Sequence, residues 1–374
     1  MMAFARNDTS ALGRWWWTVD RWTLAALASL IAIGTTLTLA ASPAVAQRIG
    51  LDSLHFVRRQ FAYLPFAIAI LVGVSLLSVR DLRRLAVIVF LVGLSLLAVT
   101  PWLGTEIKGA TRWISLAGLS VQPSEFVKPA FAVVAAWMFS ADRLKAGIPG
   151  NVISIGLYVL VVGLLVRQPD IGMVVVITVV WLTQFFLAGL PIFWVGAAAA
   201  GGVVSVAAAY LLLPHVASRI DRFLDPAAGD TYQISTALHA FATGGWFGRG
   251  PGEGRIKTTI PDSHSDFIFA VAGEEFGLIL CVVIVALFGF VVLRGFTRLL
   301  REGDLFVVLA TAGLLTQFGL QAIINMASTL SLMPTKGMTL PFISYGGSSL
   351  LALAFAMGMV LGFLRRRPET RGRP

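Results

Sequence analysis

The 374 residues are 57% hydrophobic, and only 13% are Asp, Glu, Lys or Arg, about half the roughly 25% of soluble domains, which excludes a water-soluble fold. A single cysteine, Cys281, excludes an intramolecular disulfide and a Cys/His zinc cluster. The net charge of +10 comes from short Lys/Arg clusters between apolar runs, a pattern of membrane topology and not of a nucleic-acid surface.

A helix needs roughly 20 residues to cross about 30 Å of hydrocarbon, and ten apolar segments meet or approach that length. They run Trp22–Ala46, Phe61–Ser78, Leu85–Leu103, Gln122–Phe139, Val152–Val166, Ile171–Leu190, Pro191–Leu213, Phe267–Leu293, Leu305–Leu330 and Ser348–Leu364. The fold expected is an all-α polytopic membrane protein of about ten transmembrane helices. The first segment has basic residues before it and Ala44-Val45-Ala46 at its end, as a signal peptide does. Its apolar stretch is too long for one, so a retained span is expected. Trp15, Trp16 and Trp17 read as an interfacial belt.

The segments with Arg80, Arg83 and Arg84, with Arg143 and Lys145, with Arg294, Arg298 and Arg301, and the tail from Arg365 alternate with poorly basic ones. The positive-inside rule then puts both termini in the cytoplasm. Residues 1–21 are a cytoplasmic tail, 22–364 a single membrane domain and 365–374 a basic cytoplasmic tail. The long stretch 214–266 between the seventh and eighth spans is an extracytoplasmic loop. A structureless loop of that length is unusual. Its centre reads as a short helix capped by Asp230, with Gln233 three residues on, with Ile234, Ala237, Leu238 and Phe241 on one face, and stopped by Gly244-Gly245.

Polar residues that packing does not explain gather on the outer side: Lys108, Arg112, Trp113, Asp170, the long loop and Lys336. Glu125 and Lys128 are three residues apart on one helical face and able to pair. Intramembrane charges are costly, so this pair is either a functional feature, a structural ion pair, or both. Gln317, Gln321 and Asn325 form a stripe in the ninth span that interhelical hydrogen bonding explains. Glu274 and Glu275 are adjacent, so at most one is expected to face a shared cavity. The glycines from Gly244 to Gly254 lack the P-loop pattern and read as a flexible turn. His215, His239 and His264 lack zinc-site spacing. Lys257 precedes Pro261-Asp262-Ser263-His264-Ser265-Asp266-Phe267 at the outer end of the eighth span. Asp266, bordered by apolar and basic residues, is able to stay an anionic base; it would equally serve as the cap of the following helix.

Several separated blocks resemble the SEDS family of polytopic membrane glycosyltransferases. They are Gly109-Ala110-Thr111-Arg112-Trp113, Gln122-Pro123-Ser124-Glu125 with Lys128, Gln168-Pro169-Asp170 with Gly172, Tyr232-Gln233 with Gly244-Gly245, Pro261 to Phe267 continuing to Glu274-Glu275-Phe276-Gly277, and Pro334-Thr335-Lys336-Gly337 with Pro341-Phe342-Ile343-Ser344-Tyr345-Gly346-Gly347-Ser348-Ser349. The Pro334 block looks like the cell-division branch of that family and not its elongation branch. Asp262, Ser263 and Ser265 depart from the family's usual Glu, Ala and Thr.

The resemblance implies polymerisation of lipid II into β-1,4 glycan at the outer face of a bacterial cytoplasmic membrane, at the division septum, with undecaprenyl pyrophosphate as leaving group. It implies Asp266 as the essential aspartate, here the candidate base. Arg112, Arg219, Lys257 and Lys336 are candidate pyrophosphate ligands, Trp113 a sugar platform, and Glu125, Lys128, Asp170 and Gln233 cavity-wall residues. No tightly bound cofactor is expected; a divalent cation, Mg or Mn, would bridge the pyrophosphate and not occupy a protein cage. The implied partners are the nascent glycan, a class B penicillin-binding transpeptidase, other division-site membrane proteins and membrane lipids, and no nucleic acid. A lipid II flippase and a scaffold are the competing classes. The first calls for midplane polar groups between repeated halves, and the second does not call for an acid and cations gathered on one face.

Overall fold

The computed structural model describes residues 10–107, 110–116, 119–189, 192–212, 217, 221, 232–334 and 337–365. Helix α1 (Ala11–Thr18) is followed by α2 (Arg21–Arg48), α3 (His55–Leu76), α4 (Val79–Leu103), α5 (Pro123–Arg143), α6 (Gly150–Arg167), α7 (Ile171–Leu187) and α8 (Ile192–Leu212). The remaining helices are α9 (Tyr232–Gly244), α10 (Ile268–Leu299), α11 (Leu305–Thr329) and α12 (Gly347–Phe363). Each of the ten apolar segments is occupied by one helix, α2 to α8 and α10 to α12. Among the described residues six of these, α2, α3, α4, α6, α10 and α11, are long and apolar enough to cross a membrane. The chain is a multi-pass helical membrane protein.

Helix α5 holds the centre. Nearly all its residues from Pro123 to Ala141 are buried, and it packs against α4, α6, α7, α11 and α12. Its apolar residues therefore meet protein on every side, unlike α3 or α4, which keep outward faces such as Phe66 and Ile88 for lipid. Helix α12, almost entirely buried as well, packs against α3 and α5.

Three features depart from the sequence reading. The connection after α4 is a three-stranded antiparallel sheet, β1 (Thr105–Ile107), β2 (Ala110–Leu116) and β3 (Leu119–Val121), so the fold is not wholly α. Pairing of Ile107 with Ala110 and of Leu116 with Leu119 leaves two residues at each turn, a hairpin spacing. Trp15 is not simply an interfacial residue. Its indole nitrogen donates to Ser75 Oγ at 2.8 Å and docks α1 on α3, while Trp17 and Trp22 remain exposed. Here Asp20, the N-cap of α2, receives Arg294 Nε at 2.6 Å and Arg298 at 3.0 Å. Burial pushes the Asp20 carboxyl up, and the hydrogen bonds from Arg294 and Thr23 with the charge of Arg298 outweigh it, holding it below the usual carboxylate range.

The glycine-rich stretch is the third. Helix α9 folds back on α10 through Ala237, Ala240, Phe241 and Gly244, leaving Leu238 exposed. Its packing face is thus turned away from the Leu238 side, and its closest approach is at Gly244, where a Cβ would stand 1.9 Å from the Gly273 carbonyl oxygen. The predicted capping residue Asp230 lies outside the described residues. Helix α10 is broken at Gly277, whose φ of 73° and ψ of −172° no L residue adopts comfortably. The strand of chain after α9 is laid into the break. Leu278 and Ile279 donate to the carbonyls of Gly245 and Trp246 at 2.9 and 3.3 Å, and Arg249 and Gly250 donate to those of Glu274 and Glu275 at 2.9 Å each. The stretch is thus not a flexible turn; it replaces the helix hydrogen bonds that the break removes, as burial requires.

Gly248 shows how little room this leaves, with φ of 82° and a Cβ position 2.1 Å from the Glu275 carbonyl. Gly248→Ala is expected to lower the thermal unfolding midpoint of the detergent-solubilised protein, since the left-handed backbone alone costs an Ala about 1–2 kcal/mol and the clash costs more. An unchanged midpoint would show that the inserted segment is dispensable to the fold.

Candidate active site

The turn from Pro261 to Phe267 is organised by one carbonyl. The oxygen of Asp262 accepts the amides of Ser265, Asp266 and Phe267 at 3.0, 3.1 and 3.4 Å, and Asp262 itself is left-handed with φ of 54°. The last three carbonyls before Phe267 are each tethered from outside. That of His264 accepts Tyr345 N at 2.9 Å, that of Ser265 accepts Ser344 Oγ at 2.6 Å, and that of Asp266 accepts Asn325 Nδ2 at 3.0 Å. The buried His264 ring lies against Phe56 and Tyr345, with centroids 4.4 and 5.3 Å away. A non-glycine left-handed residue recurs in the opposing segment at Phe342, with φ of 62°; such strain of order 1–3 kcal/mol persists only where surroundings enforce it.

Asp266 is half-buried. Helix α10 starts after it, with Phe267 at the N-cap position and making no side-chain capping bond. Its Oδ2 would stand 3.3 Å from a Cβ on Gly337. The residue that follows Lys336 in the chain is thus against this carboxylate. Lys336 itself lies outside the described residues, as do Lys108 and Arg219.

A second polar group lies behind the turn. Lys128 Nζ, 1% exposed in side-chain terms, donates to Glu125 Oε2 at 3.0 Å and to Gln321 Oε1 at 2.8 Å. The amide nitrogen of Gln321 then reaches the carbonyl and hydroxyl of Thr339 at 3.1 and 3.2 Å, and the Thr339 hydroxyl meets Ser349 Oγ at 2.7 Å. Asp170 caps α7 through Met173 N at 3.4 Å, and it sits 3.5 Å from Gln122 Nε2 and 3.7 Å from Arg112 Nη1. Gln122 N in turn donates to Ser348 Oγ at 3.2 Å.

Two of the predicted cations are occupied. Arg112 donates to the carbonyls of Gln168, at 3.1 Å, and Pro169, as well as facing Asp170. It locks the turn before α7, so the candidate pyrophosphate ligand serves as a brace. Lys257 is buried and its ammonium pairs with Glu275. Glu274 accepts the amides of Ile256 and Lys257 at 2.7 Å each. Contrary to the expectation that adjacent acids diverge, both therefore grip the same short 3-10 turn, Ile256–Thr258, one through its backbone and one through its side chain. Trp113 is half-buried in β2 opposite Thr105. Gln233 is half-buried in the first turn of α9.

Sequence reasoning underrated Gln321, Asn325, Thr339 and Ser344. The stripe in α11 was visible, but not that its partners are backbone carbonyls of a loop.

The family of FtsW, RodA and SpoVE, described as cell cycle proteins, matches residues 21–368. A probable peptidoglycan glycosyltransferase FtsW of Caulobacter vibrioides (strain NA1000 / CB15N) is 46% identical over 371 residues, which cover 99% of this chain and 95% of the relative. One of Trichlorobacter lovleyi is 35% identical, over 89% of this chain and 90% of the relative. Among solved structures, a chain from a peptidoglycan synthase complex, studied for the structural coordination of polymerization and crosslinking, superposes with a TM-score of 0.76 and 29% identity, covering 92% of this chain and 97% of that one. The rod shape determining protein RodA of Thermus thermophilus gives 0.67 and 27%, covering 94% and 99%.

Removing the Lys257 ammonium strands a fully buried carboxylate, which costs about 3–5 kcal/mol. Lys257→Met is expected to show that loss in thermal unfolding, and Lys257→Met with Glu275→Leu to recover most of it. A single variant as stable as the parent would return Lys257 to the pool of ligand candidates.

Proposed function

From its membership of the FtsW, RodA and SpoVE family of cell cycle proteins, to which this chain belongs, we infer that it is a peptidoglycan glycosyltransferase polymerising lipid II during septal wall synthesis. The observation that carries the mechanism is the Asp266 carboxylate, half-exposed on a turn whose carbonyls at His264, Ser265 and Asp266 are each held by another segment. A general base needs such placement before it needs a particular pKa.

In the proposed reaction Asp266 takes the proton from the acceptor GlcNAc 4-hydroxyl while that oxygen bonds to C1 of the donor MurNAc. The C1 bond to the pyrophosphate oxygen breaks in the same displacement, so the α-linked donor gives a β-1,4 product by inversion. No covalent enzyme intermediate is required. Charge develops on the departing undecaprenyl pyrophosphate, and nearby cations stabilise it. With Arg112 and Lys257 occupied by protein partners, Lys336 and Arg219 remain as the proposed ligands. Lys336 is favoured because its neighbour Gly337 abuts the base. Trp113 offers the flat face for a sugar ring. A divalent cation, if used, is proposed to arrive on the pyrophosphate and not to occupy a protein cage.

The proposed setting is the bacterial inner membrane at the septum, with both termini inside and the Asp266 turn outside. A class B penicillin-binding transpeptidase is the proposed partner, supported by the similarity to a chain of a peptidoglycan synthase complex. Purified together with that transpeptidase, the protein is expected to convert lipid II to glycan, and Asp266→Ala to cut the rate by at least about 10²-fold with the thermal midpoint retained. Polymerisation by Asp266→Ala at the parent rate would sink the base assignment. Translocation of lipid II across vesicles without polymer would instead favour a flippase.

A further inference from the structure

The stripe on α11 holds an arrangement that helix packing alone does not call for. The side-chain amide of Asn325, buried at 2% exposure, has two hydrogens, and each serves a different segment of the site. Its Nδ2 lies 3.0 Å from the carbonyl of Asp266 and 2.6 Å from that of Met338. Its Oδ1 accepts nothing, so the side chain acts purely as a double donor. One turn earlier Gln321 grips Thr339, the next residue of the same loop. The amide of Gln321 cannot turn over, because its oxygen is committed to the Lys128 ammonium. One turn later Thr329 Oγ1 stands 3.4 Å from the Asp266 carbonyl.

We propose that Asn325 is a positioning residue for glycosyl transfer, fixing the separation between the Asp266 turn and the loop that carries Lys336 and Gly337. The inference rests on Asp266 acting as the base. Its physical basis is reach. One amide spanning two carbonyls sets their distance to within a hydrogen bond's tolerance, and Met338 is only two residues from Lys336. Loss of the clamp lets the base and the cation loop part, and misplacement of about 1 Å costs on the order of 10²-fold.

Asn325→Leu keeps the branching at Cγ and removes both donors; Asn325→Asp keeps the shape and sets carboxylate oxygen against two carbonyls. Gln317→Leu is the control, two turns earlier on the same stripe, equally buried, with an Oε1 that makes no hydrogen bond. Each variant is assayed with the transpeptidase partner over a range of lipid II concentration, beside Asp266→Ala. The expected result is a kcat lowered about 10 to 100-fold for both Asn325 variants, a KM within about threefold of the parent, and an unchanged kcat for Gln317→Leu. A merely structural role would raise KM and would affect Gln317→Leu alike. Either of those outcomes, or parental kcat in the Asn325 variants beside an inactive Asp266→Ala, overturns this inference alone. Activity in Asp266→Ala overturns the reading beneath it. If neither Asn325 variant folds, Asn325→Ser takes their place, since its hydroxyl reaches at most one carbonyl. It is then expected to lose kcat by the same pattern, and parental kcat in it overturns the proposal.

Discussion

An ammonium buried among membrane helices sets the terms for the rest of this molecule. Lys128 is held at 3.0 Å from Glu125 and 2.8 Å from Gln321, and no water is available in the bilayer interior to substitute for either. Desolvating two charges costs several kcal/mol per ion, which their attraction offsets only when geometry is good and the remaining protons are bonded. That condition explains why α5 lies at the centre of the bundle. A helix carrying this pair on a lipid-facing surface would leave the pair's outer side unmatched, whereas here α4, α6, α7, α11 and α12 enclose it. The pair needs a neutral acceptor from another helix, and α11 supplies Gln321.

From there the constraint passes outward by hydrogen bonds and not by charge. Gln321, oriented by Lys128, binds Thr339; Thr339 meets Ser349 at the start of α12; Asn325, a turn along α11, binds Met338 and Asp266. Gln321 and Asn325 thereby satisfy backbone carbonyls that regular structure has left over. The loop from Gly337 to Gly346 and the turn from Pro261 to Phe267 have no helix or strand of their own to make those bonds. Their rigidity is therefore borrowed from α5 and α11, and two left-handed non-glycine residues, Asp262 and Phe342, mark where the borrowed order is strongest. A carboxylate on a loop is held in place when the loop is over-determined by neighbouring hydrogen bonds in this way.

The membrane bundle was legible in the sequence because hydropathy over some 20 residues reports a bulk property. The ten segments coincide with ten helices, and even the Glu125 and Lys128 pairing follows from their spacing of three. What periodicity could not convey was which polar group meets which backbone atom. Gln321 and Asn325 looked like interhelical glue, whereas their partners are carbonyls of residues 266, 338 and 339. The glycines from Gly244 to Gly250 looked flexible because composition alone records the freedom of glycine and not its confinement. Only the break at Gly277, about 30 residues away in sequence, gives that stretch its place. Glu274 and Glu275 misled for a related reason. A helical wheel sends neighbours apart, but a carboxylate reaches far enough to take a backbone amide on one side while the next takes an amine on the other.

The same comparison refines what an outer-face charge means. Lys and Arg on that side lack the topological reason that accounts for the inner clusters, and the inference that they bind pyrophosphate follows only if they have no anionic or carbonyl partner within the protein. Arg112 has three oxygen-bearing partners and Lys257 has Glu275, so each is neutralised or saturated before a substrate arrives. A guanidinium already bonded to two carbonyls gains little from a phosphate it can reach only by giving those bonds up. Charge asymmetry across the membrane thus locates the working face, while the assignment of a ligand depends on which cations that face has left uncommitted. By that criterion neither Arg112 nor Lys257 qualifies, while the Asp266 turn and the loop from Gly337 stay where two tethered segments meet.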